Sequence, residues 1–524
     1  MPQASMPLER PTEAPGEAAS ATRAVLVLIA ATAAFRILTG SFVGLGYGES
    51  YHFACAIRPS LGYFDHPPMS LWLGWLGLKV AGTVGPLAVR APFIIMFAGT
   101  TWLMYAIGRR LFGSWSAFYA VLLLNFSAVF TLSVGTFLQP DGPLMFFWVA
   151  AIAALVKVFF DDVRRPTAWW AMVGLMLGLA MLSKYHAVFL VMGTVIYVVT
   201  RREQLHWLWH PGPYIALIIA AALFTPVLLW NQQNEWISFL WQGNRGLDYK
   251  GLRWDWLARN IGGQALWLLP WIWLPLVYVL MQCWWRGPKD RIRWFIASLA
   301  TIPIVLFTVI SVYAPIGFHF HWQAPGYLLL FLPLGEAIDR RLREQNKLTR
   351  YWMGGTVLTT SVALIFLTSH AATGWWRDLG PTWLSEKFGE PDDPTLECLD
   401  YKPLERVLAD KGLLDRDDIF VFTNRWFQSG KVDYALKGKL PVACFSGDPR
   451  SFAFFENPEQ WVGNDGILVS TKKFLDDPND WYRDYFQRIE PLEEVPVYRG
   501  KHAEETLYLY RCVSLKQAYP NPYR

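Results

Sequence analysis

Apolar segments of about the length that crosses a bilayer recur through the first 370 of 524 residues, and that recurrence leaves few folds open. Eleven are readable, at about 24–43, 88–108, 112–132, 141–160, 168–183, 185–200, 213–231, 263–285, 294–312, 323–338 and 351–370. Lipid offers no partners to backbone polar groups, so such segments are expected to be helices in a polytopic bundle. Composition agrees. The chain is 53% hydrophobic and 17% charged, against ~25% charged for a typical soluble domain. Its 28 Trp, 22 Tyr and 34 Phe suit membrane–water interfaces. Disorder, collagen, coiled coil and a disulfide scaffold are excluded. A net charge of +5 gives no reason to expect nucleic acid.

Charge divides the chain near residue 370. Residues 371–524 carry 20 basic and 26 acidic side chains, net −6, whereas the first 370 carry 27 and 16, net +11. The fold class expected is a polytopic α-helical membrane protein with a C-terminal α/β domain. Three regions follow: a tail at 1–22, a membrane domain at 23–370 and a soluble domain at 371–524. The tail has no basic stretch at its start and reads as disordered and cytoplasmic, not as a signal peptide. In the soluble domain, 418–423, 441–445 and 466–470 read as buried strands, with a helix at 427–437 between the first two, which suggests a small parallel sheet. The five cysteines form no CxxC pair, so a zinc or redox motif is not expected. For the three in this domain, one disulfide plus a thiol and three free thiols both remain open.

Fifteen basic residues fall in five alternate turns, which places those turns in the cytoplasm. An odd number of spans then puts 371–524 outside, in the periplasm of a cytoplasmic (inner) membrane protein. The long first outer loop, 44–87, holds Glu49, Tyr51, His52, Asp65 and His66. Its 49–58 stretch has apolar residues at helical spacing and is expected to lie along the membrane surface. Asp141 opens the fourth span, where an N-cap is the ordinary role. Lys184-Tyr185-His186 interrupts an apolar stretch; snorkelling is the ordinary role for that lysine. His319, His321 and Trp322 form an aromatic cluster without an acidic neighbour, so a metal site is the minority reading. Arg245 sits between glycines in a basic outer loop, and its planar fork suits phosphate. On this topology the acids, cations and imidazoles all lie on one side. That asymmetry suits an enzyme acting on a lipid-linked substrate, with carboxylates activating an acceptor and cations holding a phosphate leaving group.

Five pieces carry a resemblance: GYFDHPP, QPDGPLMFFW, GLMLGLAMLSKYHAVFL, PVLLWNQQNEWISFLWQGNRG and HFHWQAPGY, in order from about Tyr47 to Tyr327. Together they resemble the bacterial GT-C membrane glycosyltransferases related to protein O-mannosyltransferases and to the lipid A aminoarabinose transferase. The resemblance implies transfer of a sugar, with inversion, from a polyprenyl-phosphate donor to a lipid, glycan or protein acceptor outside the cytoplasm. It implies Asp141 as the second-loop acid, Ser183-Lys184-Tyr185 and Arg245 near the donor phosphate, and His321-Trp322 beside them. The family's first-loop acidic pair falls on Gly48-Glu49, so its Asp is missing. Three readings stay open: Glu49 serves as base, Asp65 serves, or the chain is a degenerate relative that binds without turnover.

The expected catalytic set is therefore Glu49, Asp141 and Asp65. Lys184, Arg245 and His321 are expected at the donor phosphate, and Tyr51, His52, His66, Tyr185 and Trp322 at the acceptor or interface. No cofactor is demanded, although a divalent metal is compatible with the chemistry. A transporter would need internal repeats, and none is visible. A scaffold would bind partners through acidic runs such as 390–393 and 476–480, which are ordinarily solvated surface.

Overall fold

The computed structural model describes residues 13–247, 249, 251–314, 319–379, 393–475 and 477–524. In chain order the first helices are α1 (Pro15–Phe42), α2 (Tyr47–Ala56), α3 (Met69–Ala81), α4 (Pro86–Phe112), α5 (Ser114–Asn125), α6 (Asp141–Phe160), α7 (Pro166–Ser183) and α8 (Val188–Thr200). They are followed by α9 (Pro211–Gln233), α10 (Ile237–Leu247), α11 (Trp254–Leu268), α12 (Pro270–Arg286), α13 (Arg291–Ile310), α14 (Ala324–Leu328), α15 (Phe331–Arg343) and α16 (Lys347–Thr373). Two compact units emerge. The first comprises 1–36, 66–70 and 93–362; the second comprises 37–65, 71–92 and 363–524.

Among the described residues seven helices, α1, α4, α6, α7, α9, α13 and α16, are long and apolar enough to cross a membrane. The chain is a multi-pass membrane protein. These seven coincide with seven of the eleven expected spans; the other four are shorter or broken, and one of them, the bent pair α11–α12, would make an eighth span. The 112–132 segment is the 12-residue α5 followed by a π turn at Phe130–Val134. There Asn125 bonds back to the Val121 carbonyl, and Thr131 Oγ1 donates to the Asn125 carbonyl at 2.6 Å. The 185–200 segment is one 3₁₀ turn plus the 13-residue α8, short for a span. The 263–285 segment is broken between α11 and α12, which meet at 108°. Pro270 denies its predecessor a helical conformation, and Leu269 adopts φ 72°. The 323–338 segment divides into α14 and α15. Helix α1 begins at Pro15, so 15–22, expected in a disordered tail, is helical; 1–12 lie outside the described residues.

Small residues let the helices of the first unit approach. A Cβ on Gly174 would stand 2.4 Å from the Ala216 carbonyl oxygen, and one on Gly178 2.7 Å from Leu223 Cδ1, so the Gly-xxx-Gly face of α7 meets α9 at backbone range. Helix α6 lies at the centre, with 72% of its apolar window buried and Trp148 fully enclosed.

The second unit contains a five-stranded sheet of order β2-β1-β3-β5-β4. Strands β1 (Ile419–Thr423), β2 (Val442–Cys444) and β3 (Asp465–Ser470) are parallel, as the sequence suggested, with a helix at Trp426–Leu436 after β1. The sequence reading missed β4 (Phe486–Arg499) and β5 (His502–Leu515), an antiparallel hairpin turning at Gly500. Pro491 and Pro496 and a row of glutamates mask β4, an edge strand that buries only Phe486, Val495, Val497 and Arg499. Helix α2 does not lie on a membrane surface: Glu49 through Ala56 are all buried. Gly430 of the sheet-domain helix presses against it so closely that a Cβ at that position would fall 2.5 Å from the Tyr51 nitrogen. All five cysteines are free. Of the acidic runs, 390–392 and Asp476 lie outside the described residues.

Candidate functional site

Asp141 occupies the first turn of α6, after Pro140 and before Gly142-Pro143. It caps nothing. Its carboxylate turns instead to Lys184, whose Nζ donates to Oδ1 at 2.9 Å and Oδ2 at 3.1 Å. Lys184 ends α7 in an extended conformation, φ −160° and ψ 141°, before the 3₁₀ turn Tyr185–Ala187. Interrupting the helix lets its side chain project sideways. Both partners are buried, which corrects the snorkelling role: a solvated ammonium would have no such partner.

Aromatic rings surround the pair. His186 stacks on Phe307 at 4.7 Å and meets Trp322 edge-on at 5.4 Å; its Nε2 is shielded and lacks a hydrogen-bond partner. Trp322 stacks on His319 at 4.6 Å, and the Arg245 guanidinium lies 4.6 Å over Trp241 and 5.2 Å over Trp322. Arg245 Nη2 donates to His319 Nε2 at 2.6 Å, which puts the His319 proton on Nδ1. His321 feels Lys184, Asp141 and Arg245 at once. Burial pushes its imidazole down to about 4; Lys184 and Arg245 push the same way against Asp141. His66 belongs to this unit and is within electrostatic reach of His186. The Tyr185 hydroxyl pairs with Ser238 Oγ at 2.9 Å. The first unit therefore gathers Asp141, Lys184, Arg245, His321, Trp322, Tyr185 and His66, and adds His186, His319 and Trp241. A buried ion pair beside an aromatic-clamped arginine can take an anion by sharing the lysine, as hydrogen bonds to charged groups are strong where water is excluded.

The second unit holds Glu49, Tyr51, His52 and Asp65, and it engages each carboxylate. Glu49, in the first turn of α2, receives Arg90 Nε at 2.8 Å and Nη2 at 2.5 Å, with the Gly46 N–H at 3.3 Å. Arg90 also donates to the carbonyls of Gly40, Val43 and Gly44. This arginine, absent from the sequence reading, was signalled by being a charge inside an apolar helix. Asp65 Oδ1 accepts from the Tyr51 hydroxyl at 2.8 Å, and Arg450 approaches Oδ2 at 3.4 Å while stacking 3.7 Å over Trp426. Burial, helped by Asp65, holds the Tyr51 hydroxyl well above the usual range, so it stays a donor. His52 is buried, with its ring 5.5 Å from that of Tyr51. No group of three His, Cys, Asp or Glu side chains suited to a metal occurs among the described residues.

Residues 65–230 match the family model for dolichyl-phosphate-mannose-protein mannosyltransferases. No curated protein matches. Among solved structures, ArnT from Cupriavidus metallidurans in its apo state aligns at a TM-score of 0.59 and 14% identity, covering 92% of this chain and 97% of that one. The same protein bound to undecaprenyl phosphate aligns at 0.58 and 14% identity, over the same shares. The fold is that of the GT-C glycosyltransferases. The stretch matched by the family model runs from Asp65 through Asp141 and Lys184 into α9, so the GT-C resemblance includes the buried ion pair.

Proposed function

We propose that the chain is an inverting glycosyltransferase. It moves a sugar from a polyprenyl-phosphate donor to a lipid, glycan or protein acceptor at the outer face of the cytoplasmic membrane. The observation that carries this reading is the Asp141–Lys184 pair, buried beside Arg245 and His321. The structure of ArnT with undecaprenyl phosphate supports a lipid-phosphate donor.

On this reading the acceptor oxygen attacks the anomeric carbon as the bond to the donor phosphate breaks. Lys184 and Arg245 take up the charge of the departing phosphate, with the His321 imidazole beside them. Lys184 leaves Asp141 in part when the phosphate arrives. The freed carboxylate then accepts the proton of a hydroxyl acceptor. Asp141 is the better placed of the carboxylates, because it already touches the lysine that meets the phosphate. Glu49 is clamped by a two-pronged arginine, so it holds the loop in place beside Gly48. Asp65, fastened by Tyr51 and Arg450, anchors its own turn in the same way. Tyr51 and His52 shape that loop; His66, Tyr185 and Trp322 line the approach to the ion pair.

The experiment is transfer by purified protein in liposomes containing an undecaprenyl-phosphate sugar, with products read by mass spectrometry. Sugar release that depends on Lys184 supports the reading. Binding of the donor without turnover under any acceptor class would assign the chain to the degenerate, non-catalytic alternative.

A further inference from the structure

A second site lies at the opposite end of α7. Trp170 is 13 residues before Ser183, about 20 Å along the helix at 1.5 Å per residue. Between α7, α8 and α9 a cavity of about 170 Å³ is walled by Trp170, Leu177, Thr194, Val198, Trp207 and Leu217. Its lining is almost wholly apolar. That room suits a length of hydrocarbon and not an entire ligand. Leu217 is 46% exposed, so the cavity opens on the apolar outer surface of the helices.

Trp170 Nε1, in the cavity wall, is a buried donor without an acceptor, and so are Gln204 Nε2 and Arg201 Nε in the turn that joins the lining residues Val198 and Trp207. Trp170 and Trp207 meet edge-on at 5.6 Å, and Trp207 Nε1 donates to Gln204 Oε1 at 3.1 Å, which ties both orphaned donors to the cavity wall. Arg201 follows α8 and spends its terminal nitrogens on the Pro288 carbonyl and on Glu203. Arg202 is exposed next to it, so two arginines face one glutamate at this turn. Burying a donor without an acceptor is costly, and all three call for one.

We propose that this cavity binds an anionic glycerophospholipid. One acyl chain fills the apolar cavity, and the phosphate and ester oxygens accept from Trp170, Gln204 and Arg201. Hydrocarbon and acceptor oxygens are needed side by side, and a phospholipid carries both. This proposal does not rest on glycosyl transfer.

Native mass spectrometry of the detergent-purified full chain tests it. Phosphatidylglycerol, phosphatidylcholine, undecaprenyl phosphate and inorganic phosphate are each added separately. One phosphatidylglycerol should be retained, roughly ten-fold better than phosphatidylcholine, and inorganic phosphate should be lost. Arg201→Gln should lower retention by roughly ten-fold. Leu217→Trp, at an exposed position, should block the cavity and abolish retention with an unchanged unfolding temperature. Equal retention of the two phospholipids, retention of undecaprenyl phosphate that Leu217→Trp abolishes, no retained lipid, or phosphatidylglycerol retention untouched by Leu217→Trp would each overturn the proposal.

Discussion

Lys184 is where single-residue chemistry is most exposed to test. Its ammonium is neutralised by Asp141, so Asp141→Asn leaves a buried charge with half its partner and removes the proposed base. Transfer to a hydroxyl acceptor should fall by ~10²–10⁴-fold while the protein still folds. Glu49→Gln should behave differently: breaking the buried pair with Arg90 should cost ~3–5 kcal/mol, seen as a lower unfolding temperature, with per-molecule turnover largely kept in the folded fraction. A Glu49→Gln protein that is fully stable but inactive would reverse the assignment. His321 gives a pH prediction. Its folded value, about 4, lies below the ordinary 6.5, so folding favours the neutral ring. Stability from this group is full above pH 6.5 and is lost as pH falls toward 4. Thermal unfolding across that window should show the loss in the wild type and less of it in His321→Gln.

Elements were legible in the sequence where one physical rule acted alone. The seven long apolar helices follow from hydropathy, and the parallel β1–β3 core from short runs of buried residues. Breaks were harder. Pro270 was visible in the sequence, but a proline in an apolar run is also compatible with a kinked span, and the 108° bend depends on Leu269 accepting a positive φ. The candidate site divides likewise. Charged residues in apolar surroundings were readable as unusual, yet pairing of Asp141 with Lys184 and of Glu49 with Arg90 joins residues 43 and 41 positions apart, a tertiary fact no local pattern encodes. The α7–α9 contact gives the prediction at this scale. Gly178→Leu would drive a branched side chain into Leu223 and the Ala220 backbone, and should cost ~1–3 kcal/mol or more. Gly243→Leu, where nothing lies within 4 Å of the added carbon, is the matched control in the same assay.

At the scale of the whole molecule, the second unit is closed by a buried charge network. Arg499 donates to Asp393 at 2.7 Å, to Glu504 at 3.0 and 3.1 Å and to Thr395 at 2.6 Å. Burial alone would raise the Asp393 carboxyl, but hydrogen bonds from His370, Arg499 and Thr395 outweigh it and hold it well below the usual range. The network therefore stabilises above the ordinary carboxyl value and weakens only in strong acid. Arg499→Met should remove the cation that Asp393 and Glu504 share, leaving Asp393 to His370 and Thr395 and Glu504 to Arg377, and limited proteolysis should then cut the sheet domain at neutral pH faster than in the wild type. The strand order carries a further consequence, for how this protein is made. Strand β4 touches the sheet only through β5, which is synthesised after it and inserts between β4 and β3. As the chain leaves the ribosome, β4 emerges with no edge to pair with, and the parallel core waits with β3 uncovered until β5, ending at Leu515, has been added. Until β5 has paired, β3 therefore stays an open, aggregation-prone sheet edge.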